Sequence, residues 1–146
     1  MLFGEKKKIN FLIENELEGF CQFFPINTWF SAQEIEIIES AADRLKTKLK
    51  TINENLTKSQ KEDYGFTYEN MKEYFEVIML DFYIDDLIKK GTAIIKTLDG
   101  YSRDKYQEIL NKRRAEREDI RKKSIKYRGM IKGVLERIVE EKKSKI

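Results

Sequence analysis

The stretch SAQEIEIIESAADRLKTKLKTI, residues 31–52, decides the fold class. It begins with Ser31 and Glu34, spaced so that each side chain can accept a hydrogen bond from the other residue's backbone N–H and start a helix. Phe30 and Ile35 occupy the two positions of a hydrophobic staple around this start. Apolar residues then recur at alternating steps of three and four, which predicts one helix with a continuous apolar seam. The seam consists of Ile35, Ile38, Ala42, Leu45, Leu49 and Ile52.

The composition extends this prediction to the whole chain. Charged residues make up 38% of the 146 residues, more than the roughly 25% of an average globular domain. Proline occurs once, at Pro25. A chain rich in Lys, Glu, Ile and Leu and almost free of proline is typical of long helices with charged outer faces. We therefore expect a single all-α domain spanning residues 1–146.

Three further helices follow from apolar periodicity. An apolar stripe over residues 5–24 predicts the first, which Pro25 would end. Residues 53–66 look like a polar connection, and Thr67 is a candidate N-cap for the third. Gly91 is expected to mark a kink or break near the end of that helix. Its expected stripe is Met71, Phe75, Ile78, Phe82 and Leu87.

The centre of the third helix is ambiguous, because VIMLDFYI, residues 77–84, is apolar nearly all round. Such a run fits either a buried helix or a strand. We favour the helix, since no partner strand with turn signals occurs elsewhere. Gly100 should end this region in the left-handed conformation, and Ser102 should cap a fourth helix that runs to about Lys142.

The predicted architecture is an antiparallel bundle of three to four helices with a long, basic C-terminal helix extending from it. Charge divides the chain in the same way. Residues 1–100 form an acidic helical body with 13 Lys/Arg and 18 Asp/Glu, whereas residues 101–146 carry 16 and 8. The total of +3 hides this asymmetry, which points to an interaction made by the C-terminal helix.

The candidate contact face lies on this helix and consists of Arg114, Arg117, Arg121 and Arg128, which fall within a narrow arc at 100° per residue. The apolar stripe beside it is thin near residues 110–119, so we expect that segment to project. Three interpretations stay open. The face is a solvated charged surface, or it binds an acidic protein surface, including this chain's own body or a second copy, or it follows a nucleic-acid phosphate backbone.

Candidate catalytic chemistry is sparse. The chain has no histidine and one cysteine, Cys21, so the usual general base and most transition-metal sites are excluded. Asp81 and Asp85 share a helical face and could form a buried acid or oxygen-ligand metal site. The alternative is ordinary pairing within the helix, Asp85 with Lys89 and Asp86 with Lys90. We predict no catalytic, cofactor or metal site.

The aromatic residues Phe24, Trp29 and Phe30 form a second candidate, either a cap on the core or an exposed contact for a partner. Taken together, the sequence predicts a non-enzymatic adaptor or accessory subunit that acts through protein–protein binding, with self-association as one form of that binding. The alternative is nucleic-acid binding without sequence specificity through the arginine face. No membrane span, small-molecule substrate or cofactor is expected, and a cytoplasmic location is expected.

Overall fold

The computed structural model describes residues 4–16 and 29–144, and within these ranges the chain is helical with no strand. This confirms the all-α class. Five α-helices occur there, and α1 continues into one π-helical turn, Leu12–Glu16. The helices are α1 Glu5–Phe11, α2 Ala32–Asn55, α3 Lys58–Tyr64, α4 Tyr68–Ile95 and α5 Gly100–Ser144. The rest of the first predicted helix, with Phe24 and Pro25, lies outside the described residues.

Helix α2 begins where the sequence predicts. The Ser31 backbone N–H donates to Glu34 Oε1 at 3.0 Å, and the Glu34 N–H donates to Ser31 Oγ at 3.2 Å. Both halves of the capping box are therefore formed, which satisfies two donors that the helix start would leave unpaired. Ile35 is half-buried, and the other five seam residues are buried.

Helix α3 was not predicted, because residues 53–66 read as a polar connection. Thr57 and Gln60 form a second capping box, with hydrogen bonds of 3.1 Å and 2.9 Å between each side chain and the other's backbone. The helix ends at Gly65, whose φ of +81° is the left-handed conformation that glycine adopts without a Cβ penalty. Local capping chemistry thus starts and stops a helix of seven residues that has little apolar periodicity.

Helix α4 runs unbroken from Tyr68 to Ile95, so residues 77–84 are helical. Of the two forms of the prediction at Gly91, the break is wrong and the kink stays a prediction. Gly91 instead marks a close approach between helices. A Cβ there would lie 2.6 Å from Leu110 Cδ2 and 2.7 Å from Trp29 Cζ3. One predicted core residue is also misplaced, because Phe82 is 47% exposed. Thr67 holds the N-cap position without a side-chain cap bond.

Helix α5 has 45 residues and spans about 68 Å at 1.5 Å per residue. It begins at Gly100, which has a φ of +62°, so Ser102 lies inside the first turn and is not the N-cap. The helix continues past the predicted end at Lys142 to Ser144, the last residue that the structure describes. Gly129 and Gly133 lie within it without interrupting it.

The segment near residues 110–119 does not project from the rest of the molecule. Leu110 is fully buried, and Arg114 Nη2 donates to Thr92 Oγ1 of α4 at 2.6 Å. Arg117 bonds Asp85, and Tyr127 bonds Glu73 farther along. Residue numbers fall along α4 as they rise along α5, so these two helices run antiparallel. The apolar stripe is thin here because polar side chains make the contact.

Polar contacts also fix α1 against α2. Asn53 of α2 is fully buried, and its Nδ2 donates to the Lys6 carbonyl oxygen at 2.9 Å and to Asn10 Oδ1 at 2.8 Å. The Lys61 ammonium of α3 donates to Asn53 Oδ1. An exposed ion pair of 3.1 Å between Glu14 and Lys50 lies one turn away. Buried polar groups need such partners, so Asn53 sets how α1 and α3 lie on α2.

Candidate functional site

The arginine face of α5, defined by Arg114, Arg117, Arg121 and Arg128, lies against α4. Arg117 Nε is 2.7 Å from Asp85 Oδ1, and Arg121 reaches both Asp85 at 3.0 Å and Asp81 at 3.2 Å. Arg128 Nη2 is 3.6 Å from Asp81 Oδ2. Three of the four arginines therefore share two carboxylates of the same chain, and the fourth bonds Thr92.

The three arginines form an ionic strip with Asp81 and Asp85, and within this strip Asp81 is much less exposed than the other side chains. The Asp81 side chain is 10% exposed, whereas those of Arg117, Arg121 and Arg128 are 46–56% exposed. The Arg121 guanidinium donates hydrogen bonds to Asp85 and Asp81, and these bonds, the one to Asp85 most strongly, raise its pKa above the usual value. The strip is thus a screened contact on the arginine side and a largely desolvated one at Asp81.

The structure shows which side chains contact Asp81 and Asp85. Asp81 and Asp85 share a face, as the spacing predicts, and they meet arginines of α5. Lys90 also reaches another helix, because its Nζ lies 2.6 Å from Glu34 Oε1 of α2. Within the described ranges no three acidic or cysteine side chains converge as metal ligands would.

The aromatic candidates lie in the core where they are described. Trp29 and Phe30 are 7% and 6% exposed. The Trp29 ring packs edge-on against Tyr106 of α5, with centroids 5.4 Å apart, and Phe30 packs edge-on against Tyr83 of α4. Both rings therefore join the start of α2 to the two long helices. Phe24 lies outside the described residues.

A second aromatic contact joins α4 and α5 nearer the opposite end. The rings of Tyr74 and Tyr127 have centroids 4.5 Å apart, and Tyr127 Oη donates to Glu73 Oε2 at 3.0 Å. Tyr74 Oη donates to the Gly65 carbonyl oxygen at 2.6 Å. Burial raises the pKa of both phenols, and the Glu73 carboxylate adds to this effect. Both tyrosines therefore stay protonated donors, which suits a structural contact.

The sequence did not reveal an open groove where α2, α4 and α5 come together, with a volume of about 970 Å³. Its floor is apolar and buried, and Phe82 and Val139 line it while remaining 47% and 51% exposed. We call this feature the three-helix groove. Its apolar lining consists of Ala41, Leu45, Ile78, Met79, Phe82, Ile131, Leu135 and Val139.

Helical register places two further exposed isoleucines beyond one end of the three-helix groove. Ile37 lies one helical turn before Ala41 on α2, and Ile125 lies about one turn before Arg128 on α5. Both isoleucines are 59% exposed. From Ile125 to Lys143 the α5 side of this surface covers about 27 Å, or five helical turns.

Charged residues surround the three-helix groove unevenly. Its α2 wall carries Arg44 and Lys48 and no acidic residue. Its α5 wall mixes both signs, with Arg128, Lys132 and Lys143 beside Glu136 and Glu140. Asp81 lies at the α4 side, where it is hydrogen-bonded to Arg121 and forms an ion pair with Arg128. The α2 wall is therefore the purely basic edge.

Sequence periodicity could have indicated this groove. The buried stripe of α5 includes Ile131, Val134 and Ile138, so Leu135 and Val139 are surplus apolar residues beside it. Surplus apolar positions at i and i+4 indicate a second apolar column on the helix.

Comparison of the chain with protein-family models, curated proteins and solved structures gave no match. None of the described helices is long and apolar enough to cross a bilayer.

Proposed function

We propose that this chain is a non-enzymatic helical adaptor or accessory subunit that acts through protein–protein binding at the three-helix groove. The observation that carries the proposal is the half-exposure of Phe82 and Val139 over a buried apolar floor. Contiguous apolar surface rimmed by charge is typical of binding sites, because covering it removes about 25 cal/mol for each Å² of apolar area withdrawn from water.

The proposed architecture behind this function is an antiparallel helical bundle in which α5 is the longest member. Antiparallel pairing of α4 with α5 supports it, as does the contact of α2 with both helices. In this arrangement α2 and α5 lie on either side of α4 and form the two walls of the groove. Self-association through the same groove is the second form of the proposal, and sedimentation at high concentration distinguishes it from binding of a different protein.

Nucleic-acid binding through the arginine face is the alternative, and its basis is the exposed half of Arg117, Arg121 and Arg128. Asp81 and Asp85 offset part of the charge that phosphates would meet. If the arginine face binds nucleic acid, an Asp81→Asn/Asp85→Asn variant should bind duplex DNA more tightly than the native chain and with a steeper dependence on salt.

A pull-down from the native host tests the proposal. The bait is the full chain, its Val139→Asp variant, or a Tyr101→Asp control on the same helix, since Tyr101 is 80% exposed and distant from the groove lining. We expect the native chain and the control to retain the same proteins, and Val139→Asp to lose them, with or without nuclease.

Two results would contradict the proposal. Retention that survives Val139→Asp would mean that binding does not use the groove, and retention lost only after nuclease treatment would favour the nucleic-acid alternative. Urea unfolding of each bait controls for folding. Exposed substitutions should change the free energy of unfolding by about 0.5 kcal/mol or less.

A further inference from the structure

We infer that the three-helix groove takes an amphipathic helix of a partner protein, with an acidic flank lying on α2. This inference rests on the proposed function and specifies the partner's chemistry. The first support is shape. The open groove, taken together with Ile37 and Ile125 at one end, extends about 27 Å along α5 and matches a helix of about 18 residues that inserts one apolar stripe.

Charge complementarity gives the partner its sign and orientation. Arg44 and Lys48 lie four residues apart on α2, so they project from the same edge of the groove at successive turns. No acidic residue of the α2 wall offsets them. An occupant with Glu or Asp on the flank facing α2 would place opposite charges across this edge, which favours association and fixes the direction of the helix.

The opposite wall accepts a different flank. Glu136 and Glu140 on α5 lie between Lys132 and Lys143, and Arg128 at the end of this wall pairs with Asp81, so that edge has almost no net charge. A strongly acidic flank there would meet two carboxylates, and a strongly basic one would meet two ammonium groups. The occupant is therefore acidic on one side of its apolar stripe and mixed or uncharged on the other.

The same features disfavour a phosphate backbone in the groove. The floor holds Leu45, Met79 and Ile131, which offer no hydrogen bond to a phosphate oxygen. Placing phosphates over that floor would remove their hydration without compensation. Asp81 is occupied by two arginines and keeps those guanidinium groups turned toward α4. A partner helix with an apolar stripe and an acidic edge is complementary both to the apolar floor and to the basic α2 wall.

A displayed library of 18-residue amphipathic helices tests the inference directly. Each member carries Leu or Ile along one stripe, with Glu, Gln or Lys randomised at both flanks. Selection uses the full chain and counter-selection uses the Val139→Asp variant. We expect the recovered sequences to be enriched in Glu on one flank only. Enrichment of Lys, equal enrichment of all three residues, or no groove-dependent recovery would overturn the inference.

Synthesis of one recovered peptide allows the edge itself to be tested. An Arg44→Glu/Lys48→Glu variant should weaken its binding about tenfold at 50 mM salt and less at 500 mM salt, because these pairs are exposed and screened. The matched control, Lys105→Glu/Lys112→Glu, makes the same charge change on exposed lysines outside the groove lining and should stay within twofold. Equal weakening by both variants would contradict a specific acidic edge.

The inference and the proposed function fail differently. If Val139→Asp abolishes pull-down of host proteins but the library yields no acidic flank, the groove binds protein of other chemistry and only the inference falls. If the groove substitution changes neither assay, both fall. A dimer in sedimentation that Val139→Asp dissociates would assign the groove to a second copy of this chain, which also overturns the inference.

Discussion

Helix α4 makes two kinds of contact that differ in burial and in tolerance. At Gly91 its backbone meets Leu110 of α5 and the Trp29 ring, and a Cβ would lie within 2.7 Å of both side chains. Ten residues earlier, Asp81 meets guanidinium groups that are about half exposed to solvent. The first contact depends on shape, because an added Cβ would force the Leu110 side chain and the Trp29 ring to shift, whereas long arginine side chains adjust readily in the second.

The difference between these two contacts indicates which of them contributes more to the stability of the fold. Apolar contacts in a buried interior respond to the addition of a single methyl group, because close packing leaves no space to absorb it. Exposed ion pairs contribute little individually, since water and salt screen them. The arginine face is conspicuous in the sequence, but we expect the glycine contact to matter more for folding.

The largest expected effect comes from filling the glycine contact. Gly91→Val should lower the free energy of unfolding by about 2 kcal/mol, because the added atoms overlap Leu110 and Trp29. Urea unfolding followed by far-UV circular dichroism measures this change. Gly129→Ala is the matched control, since no atom lies within 4 Å of a Cβ there, and it should raise stability by up to about 1 kcal/mol.

If Gly91→Val were as stable as Gly129→Ala, α4 and α5 would not meet closely at Gly91, and the proposed difference between the two contacts would be wrong. Gly91→Ala refines the test. Replacing glycine by alanine raises helix propensity, whereas the added Cβ overlaps Leu110 and Trp29. The free energy of unfolding of Gly91→Ala should therefore fall between those of the other two variants.

An intermediate effect is expected within the ionic strip. Asp81→Asn should cost about 1 kcal/mol, because a nearly buried carboxylate loses its charge opposite Arg121 and Arg128. Asp85→Asn should cost about half of that, since its side chain is 46% exposed. Unfolding free energies at 0.1 and 1 M NaCl measure both. Equal losses at the two positions would refute burial as the reason for their difference.

The smallest effect is expected at the ion pair between α2 and α4. The hydrogen bond from Lys90, followed by the bond from the Ser31 backbone, lowers the pKa of Glu34 to about 2. A carboxyl group whose pKa is lowered in the folded state stabilises the protein at pH values above the ordinary glutamate pKa of 4.5. This contribution is lost as the pH falls from 4.5 toward 2. Glu34→Gln keeps an acceptor for the Ser31 N–H but no charge.

Thermal unfolding between pH 6 and pH 2.5 measures this effect. The native chain should lose more stability over that interval than Glu34→Gln, while Glu36→Gln, a change on an exposed residue of the same helix, should behave like the native chain. If Glu34→Gln and the native chain lose stability in parallel, the pairing of Glu34 with Lys90 does not persist in solution.

Much of the fold follows from local patterns in the sequence. The capping box at Ser31 and Glu34 and the seam from Ile38 to Ile52 are short-range features, and both occur as predicted. The helical state of residues 77–84 followed from the lack of a partner strand. The capping box at Thr57 and Gln60 is equally local, but apolar periodicity does not indicate a short polar helix such as α3.

The candidate site was harder to predict for a physical reason. Periodicity places Arg117, Arg121 and Arg128 on one face of α5, but it does not say whether that face meets solvent, a partner or another part of the same chain. That choice depends on which turn of α4 lies opposite. The roles of the arginine face and of the aromatic residues in binding stay predictions.

The sequence by itself determined the helical class and the start of α2 at its capping box, because these depend on residues at most four positions apart. It also determined the asymmetric charge, which is a sum over residue types and needs no tertiary contact. Only the tertiary structure decided that Gly91 is a contact point, that Asp81 and Asp85 receive the arginine face, and that Phe82 and Val139 line an open groove. Those features join residues separated by tens of positions, and their pairing follows from the relative placement of α2, α4 and α5.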